Sequence, residues 1–310
     1  MDKRKILIQV GIVLVLVSMY VVKDFFIFDA EVPEQKQQNI EVEQISSQAL
    51  AASNEQETSE EIIFHYAAET PNPNKTVPRQ KFDLDMPQIT RSEKFDLASI
   101  RMSDKADMSY FEDAIFLGDG SISDFQDYVA EQRLSDSSYF VNSKFVAIKN
   151  YSVYEAIQPV SDSSIHISLD GVKLAPEQII EKYNAKKVFI CLGMNDVGNS
   201  TVDEFIDNYK KLIKNIMDIN KDVKIIIQTI PPVTLYGEKQ SIYNAKIDTY
   251  NEALIELITE KNIYLADPAF RLKDTSGYLA IQLCSDDISR LNKEAYTVWV
   301  EYLLNHAIQD

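Results

Sequence analysis

Hydrophobic and polar positions fall into three regimes along the chain. Residues 6–22 (ILIQVGIVLVLVSMYVV) form an apolar run, with Gln9 as its one strongly polar interruption. Residues 31–69 are dominated by Glu, Gln, Ser and Ala and contain no Gly. From about residue 110, short apolar runs appear at 113–118, 144–148, 187–192, 223–230 and 263–266. Their apolarity is continuous rather than alternating, which marks strands covered on both faces in a parallel sheet between helices. Residues 176–183, 202–219 and 244–261 carry helical spacing between the later runs, and a last helix fits 293–306. Strand-helix alternation of these lengths predicts a three-layer α/β domain over 110–310, without internal repeats.

The first regime predicts an address. Lys3, Arg4 and Lys5 precede the apolar run, and Lys23 follows it. Seventeen helical residues span about 25 Å at ~1.5 Å each, close to the ~30 Å hydrocarbon core. Lys23 is placed to snorkel, and Phe25, Phe26 and Phe28 to sit in the interface. The expected order is a cytoplasmic N-terminus at 1–5, a transmembrane signal anchor at 6–23, and an exported remainder at the cell surface. A cleaved leader is the alternative, but the nearest small-x-small triplet, Ala49-Leu50-Ala51, lies far downstream. Residues 24–109 read as an acidic spacer and lead-in. The stretch 31–69 carries nine Glu against one Lys, and Pro71, Pro73, Pro78 and Pro87 follow. Such a composition buries too little apolar surface to fold alone.

Charge narrows the partners. The chain of 310 residues has 31 Lys+Arg against 48 Asp+Glu, a net of -17, and beyond residue 23 the net becomes -20. Phosphate repels such a surface, which excludes nucleic acid as a partner. Two cysteines exclude a disulfide-rich scaffold and a four-thiolate zinc site. No metal or cofactor motif is present. The expected partners are the bilayer through residues 6–23 and an envelope polysaccharide or acylated small molecule. A membrane acyltransferase or another envelope protein is a further possibility.

In parallel α/β sheets, functional groups gather beyond the carboxyl ends of the strands. Here those ends carry Gly118-Asp119-Gly120-Ser121, Gly193-Met194-Asn195-Asp196 and Pro231-Pro232. Before the last helix comes Cys284-Ser285-Asp286-Asp287-Ile288-Ser289-Arg290-Leu291. Together these blocks resemble the SGNH (GDSL-like) hydrolase family over roughly residues 110–308. The resemblance implies a flavodoxin-like α/β/α fold and, in active members, ester hydrolysis or acyl transfer by a Ser-His-Asp set. It also implies an oxyanion-hole role for Asn195, a donor type worth several kcal/mol in a dry, preorganised site.

Two departures follow from the same blocks. The nucleophile position reads Gly120, which has no oxygen to form an acyl-enzyme. The general-base position reads Arg290, whose guanidinium stays protonated at physiological pH and cannot accept a serine proton. Asp286 or Asp287 fills the carboxylate position, Asp286 preferred, and either is expected to pair with Arg290. No glycine occupies the second oxyanion block near Asn150-Tyr151-Ser152. Ser121 is one residue, about 100° of helix, from the nucleophile position. It is expected to cap a helix beginning near Ile122, with a nucleophile reached by a local shift as the alternative. His166 reads as a structural or loop histidine, the alternative being a base at the strand ends. His65 lies in the spacer and His306 in the last helical turn. Cys191 reads as a buried strand residue, and a pairing with Cys284 is conceivable in an oxidising location. The expected function is therefore a membrane-anchored SGNH-like protein without hydrolase chemistry that binds an envelope glycan, an acylated polymer or a protein. The alternative is an O-acyl esterase or acyltransferase on envelope carbohydrate or lipid, built on Ser121 with His166 or Asp286 as base.

Overall fold

The computed structural model describes residues 92–308. The expected anchor at 6–23 and most of the spacer lie outside the described residues. Among the described residues, no helix is long and apolar enough to cross a membrane.

The expected strands appear as β1 (Ala114–Gly118), β2 (Lys144–Ala147), β5 (Lys187–Cys191), β6 (Lys224–Gln228) and β7 (Ile263–Ala266). They form one sheet in the order β2-β1-β5-β6-β7, parallel throughout. A short hairpin of β3 (Ser168–Leu169) and β4 (Val172–Lys173) stands apart from it. Period-two geometry sends alternate strand residues to opposite faces. Ile115, Leu117, Val188, Ile190, Ile225 and Ile227 join one core, whereas Phe116, Phe189, Cys191 and Ile226 join the other.

The first core is covered by α4 (Pro176–Lys182), α6 (Val202–Ile219) and α7 (Asn244–Ala253), and the second by α2 (Gly120–Gln132) and α8 (Lys293–Asn305). Helix α6 has a capping box between Thr201 and Glu204. It buries Phe205, Ile206, Tyr209, Leu212, Ile213 and Ile216, a single stripe at helical spacing. Each such burial contributes roughly 1.5–3 kcal/mol. On the other face Phe111 packs against Phe116, Phe140 and Phe189, and Phe125 against Phe116 and Phe140.

Two expectations are corrected. The helix expected over 244–261 stops at Ala253 and tightens into a 3-10 turn at Leu254–Leu257. Leu254 and Leu257 are both buried, and their spacing of three suits that tighter turn. The packed region also begins before residue 110. Helix α1 (Glu93–Ala98), capped by Ser92, buries Phe95 in the first core. The following strap hydrogen-bonds from Ile100 N to Leu265 O (2.8 Å), Ser103 N to Asn305 O (2.8 Å) and Ala106 N to Leu304 O (2.9 Å). With its scattered charge and a single short apolar spacing, this segment gives little pattern to read.

Candidate functional site

Strand β1 delivers the first block to the carboxyl edge of the sheet. A Cβ on Gly118 would lie 2.2 Å from Ile122 Cγ1 and 2.6 Å from the Cys191 carbonyl, so the strand end demands glycine there. Asp119 leaves the strand and caps α2, accepting from Ser121 N (3.0 Å) and Ser121 Oγ (2.8 Å). The helix thus begins at Gly120, not near Ile122, and Asp119 rather than Ser121 is its cap. An early start leaves Ser121 inside the first turn, where its hydroxyl is committed to Asp119. Gly120 itself is not conformationally required. A Cβ there would meet only Lys149 O and Lys149 Cγ, at 3.5 and 3.6 Å, which is ordinary contact.

Asp119 is buried, and that burial pushes its carboxyl up to about 6 against the opposing bonds from Ser121. The neighbouring charge of Asp196 adds to the rise. Asp196 is itself held above the ordinary carboxylate value by burial. It accepts from Val153 N (3.0 Å) and Tyr154 N (3.5 Å), fixing the start of the short helix α3 (Val153–Ala156).

The third block follows β5. Gly193 has φ 139°, and a Cβ would stand 2.4 Å from Ile230 Cδ1, so both backbone and packing require glycine. It opens the single turn α5 (Met194–Val197) that carries Asn195 and Asp196. Asn195 Nδ2 donates to the Tyr151 carbonyl at 3.0 Å, tying this turn to the loop after β2. Where the family's second oxyanion glycine is expected, Ser152 caps α3 through a bond from Glu155 N (3.0 Å).

The loop before α8 is arranged differently from the expectation. Arg290 forms a two-pronged ion pair with Asp124 on α2, Nε to Oδ2 and Nη2 to Oδ1, both at 2.8 Å. Neither Asp286 nor Asp287 is its partner. The Asp286 carboxylate turns back on its own loop and accepts from the backbone of Ile288, Ser289 and Arg290, each at 2.9 Å. Although its slight burial works the other way, these bonds hold it down at about 2. Asp287 sits in the left-handed region at φ 62°, and its carbonyl accepts from Thr234 Oγ1 (2.6 Å). Sequence reasoning missed Asp124. A permanent cation at position 290 called for an acid, but two nearer in sequence, Asp286 and Asp287, drew attention from one on the second turn of α2.

His166 is buried 15 residues from its partner Tyr151. Its Nδ1 lies 2.8 Å from Tyr151 Oη and its Nε2 2.7 Å from the Gln158 carbonyl. A carbonyl only accepts, so Nε2 carries the proton and Nδ1 accepts from the tyrosine. Both nitrogens are occupied, and Ser121 is bonded to Asp119 instead; the Ser121–His166 pairing is not brought together. His306 Nδ1 lies 2.8 Å from the Tyr302 carbonyl in the last turn of α8. Cys191 and Cys284 are both free thiols, Cys191 buried in β5. Among the described residues, no group of His, Cys, Asp and Glu suits a metal ion.

The strand-end constellation therefore unites Asp119, Gly120, Ser121, Asn195 and Asp196 around β1 and β5. The Arg290–Asp124 pair lies on the α2 side, Asp124 one turn along the helix from Gly120. It offers polar donors and a buried acid, without a serine hydroxyl bonded to a histidine.

The sequence model of the GDSL-like lipase/acylhydrolase family matches residues 153–297. Among solved structures, the chain resembles a carbohydrate esterase family 3 protein from Talaromyces cellulolyticus at 18% identity, covering 61% of this chain and 93% of that one with a TM-score of 0.43. It also resembles a GDSL-like lipase from Bacteroides thetaiotaomicron at 13% identity, 64% and 88% coverage and a TM-score of 0.43. An acetyl xylan esterase is similar at 17% identity, with 63% and 99% coverage and a TM-score of 0.46. None of the curated proteins compared matches the chain. The match at residues 153–297 lies within the α/β domain built on the five-stranded parallel sheet, and makes that domain similar to the GDSL-like lipase/acylhydrolase family.

Proposed function

We propose that this protein is an exported, membrane-anchored SGNH domain that binds its ligand without hydrolysing it. The observation that carries the reading is the pair of replacements at the reacting positions. Gly120 supplies no oxygen, and Arg290 is engaged by Asp124 at 2.8 Å on both prongs. Nucleophile and base act as a unit, so loss of either removes most covalent catalysis. Neither substitute considered from sequence helps. Ser121 Oγ donates to a buried carboxyl, and His166 has no free nitrogen. The anionic Asp286 is satisfied by three backbone donors, which lowers its basicity.

What the cleft retains suits recognition of a carbonyl- or hydroxyl-bearing ligand. Asn195 offers an amide, and Asp119 and Asp196 hold the surrounding turns in place. An envelope polysaccharide or an acylated polymer fits this chemistry. Residues 6–23 place the domain at the outer face of the cell membrane, with the N-terminus in the cytoplasm and 24–109 as the tether. An envelope acyltransferase is a natural neighbour for such a domain.

A serine-directed fluorophosphonate tests the reading on the full chain. No labelling is expected, and p-nitrophenyl acetate should be turned over no faster than in buffer. Labelling that maps to Ser121 and disappears in Ser121→Ala would overturn it.

A further inference from the structure

A groove of about 680 Å³ is lined by α3, the Asn195 turn and the first half of α6. Its volume lies within the range of about 300–1,000 Å³ usual for ligand sites. Asn150, Ser152, Tyr154, Asn195, Asn199 and Asn208 supply its chemistry. We propose that this groove is a binding subsite for a neutral, hydroxyl-rich chain, a glycan segment, with Tyr154 as its stacking platform. The proposal rests on the reading of the domain as a binding protein and names the ligand class.

Three features carry it. Amides and hydroxyls can each donate and accept, which matches a sugar hydroxyl that also does both. Tyr154 lines the groove and is 54% exposed, and its backbone N–H donates to Asp196 at 3.5 Å, so an exposed aromatic side chain borders the groove. Aromatic rings of this kind offer an apolar body with a polar tip. Behind the lining, Asn199 Nδ2 donates to Asn195 O (2.8 Å) and Ser200 Oγ to Asp196 O (3.1 Å). The turn is thereby preorganised, which lowers the ordering cost of binding.

Charge selects the kind of chain. Glu155, Glu204 and Asp207 border the groove against a single lysine there, Lys211. Glu204 accepts from Thr201 and Asp207 lies 3.7 Å from Lys210, so two of these acids are engaged within the protein. Their field disfavours a polyanionic polymer and leaves a neutral one unopposed.

Calorimetric titration of the full-length protein tests the assignment, using cellohexaose and N-acetylchitohexaose as neutral chains and inorganic polyphosphate as an anionic one. Saturable binding of at least one hexasaccharide is expected, with none of polyphosphate. Tyr154→Ala should weaken binding about tenfold, equivalent to ~1.4 kcal/mol. Asn208→Ala, also on the groove, should weaken it in the same direction, with circular dichroism checking that both variants are folded. Absence of hexasaccharide binding, binding unchanged in both variants, or preference for polyphosphate would each overturn the assignment. Failure here with no fluorophosphonate labelling sinks the groove and leaves the non-hydrolytic reading standing. Labelling together with groove-dependent binding has the reverse meaning.

Discussion

Asp119→Asn is the most informative single substitution, because one buried carboxyl caps α2, holds Ser121 and faces Asp196. Burial lifts the Asp119 carboxyl from 3.8 to about 6. A folded-state value above the unfolded one means that the folded chain holds the proton more tightly. The associated stability is fully present below pH 3.8 and is lost as pH rises through about 6. At ~1.4 kcal/mol per pKa unit, the change across that window is on the order of 3 kcal/mol. Asparagine keeps an acceptor for Ser121 N and is an equally good cap, but it does not ionise. Urea unfolding of both chains between pH 4 and pH 7.5 measures the difference, and the subtraction cancels the titrating groups that do not interact with Asp119; the interaction with Asp196 is retained in it. The asparagine chain should gain about 2 kcal/mol relative to the parent on going from pH 4 to pH 7, most of it below pH 6, because the unfolded carboxyl is already partly ionised at pH 4. A difference that is flat with pH would refute the assignment of Asp119 as a buried, destabilised carboxylate. A change of the opposite sign would mean that its bonds from Ser121 outweigh its burial.

Two further outcomes follow from the site. Gly120→Ser fits sterically, but Arg290→His would strand Asp124; the triple change Gly120→Ser, Arg290→His, Asp124→Ala should therefore acquire fluorophosphonate labelling mapping to position 120. Labelling absent from the triple chain, with native circular dichroism, would indicate that the cleft no longer accommodates the reaction. Tyr151→Phe leaves His166 Nδ1 without its 2.8 Å donor in a buried setting, and should cost about 1–3 kcal/mol in urea unfolding. An unchanged unfolding midpoint would contradict the structural role given to that histidine.

Strands and long helices were readable because their cause is local. Residues 188–192 are apolar throughout and Ile225, Ile226 and Ile227 stand in a row, and a sheet covered on both faces is the arrangement that hides such runs. Helix α6 matches its expected span of 202–219 because a capping box and a six-residue apolar stripe mark both ends. That positions 120 and 290 carry neither a hydroxyl nor an imidazole was equally plain, since residue identity alone decides it. What sequence could not supply was the partner chosen across the fold. Arg290 reaches Asp124 over a separation of 166 residues, while Asp286, four residues away, spends its carboxylate on backbone donors. The same holds for Ser121. A cap at Asp119 or at Ser121 is a difference of two positions, settled by the backbone turn out of β1.

The strap of residues 99–106 gives the domain a mechanical grain. It lies beside β7 at Leu265 and then along the end of α8 at Leu304 and Asn305. Any load entering from the N-terminal side passes α1, held by the buried Phe95, and then meets these backbone pairings at the far edge of the sheet, four strands away from β2. Tension is thus taken up at the β7 edge, where Ser99 bridges to Leu265 in parallel. The Gly120 turn and the α3–α6 groove lie deeper along the force path, and would keep their shape while the strap peels.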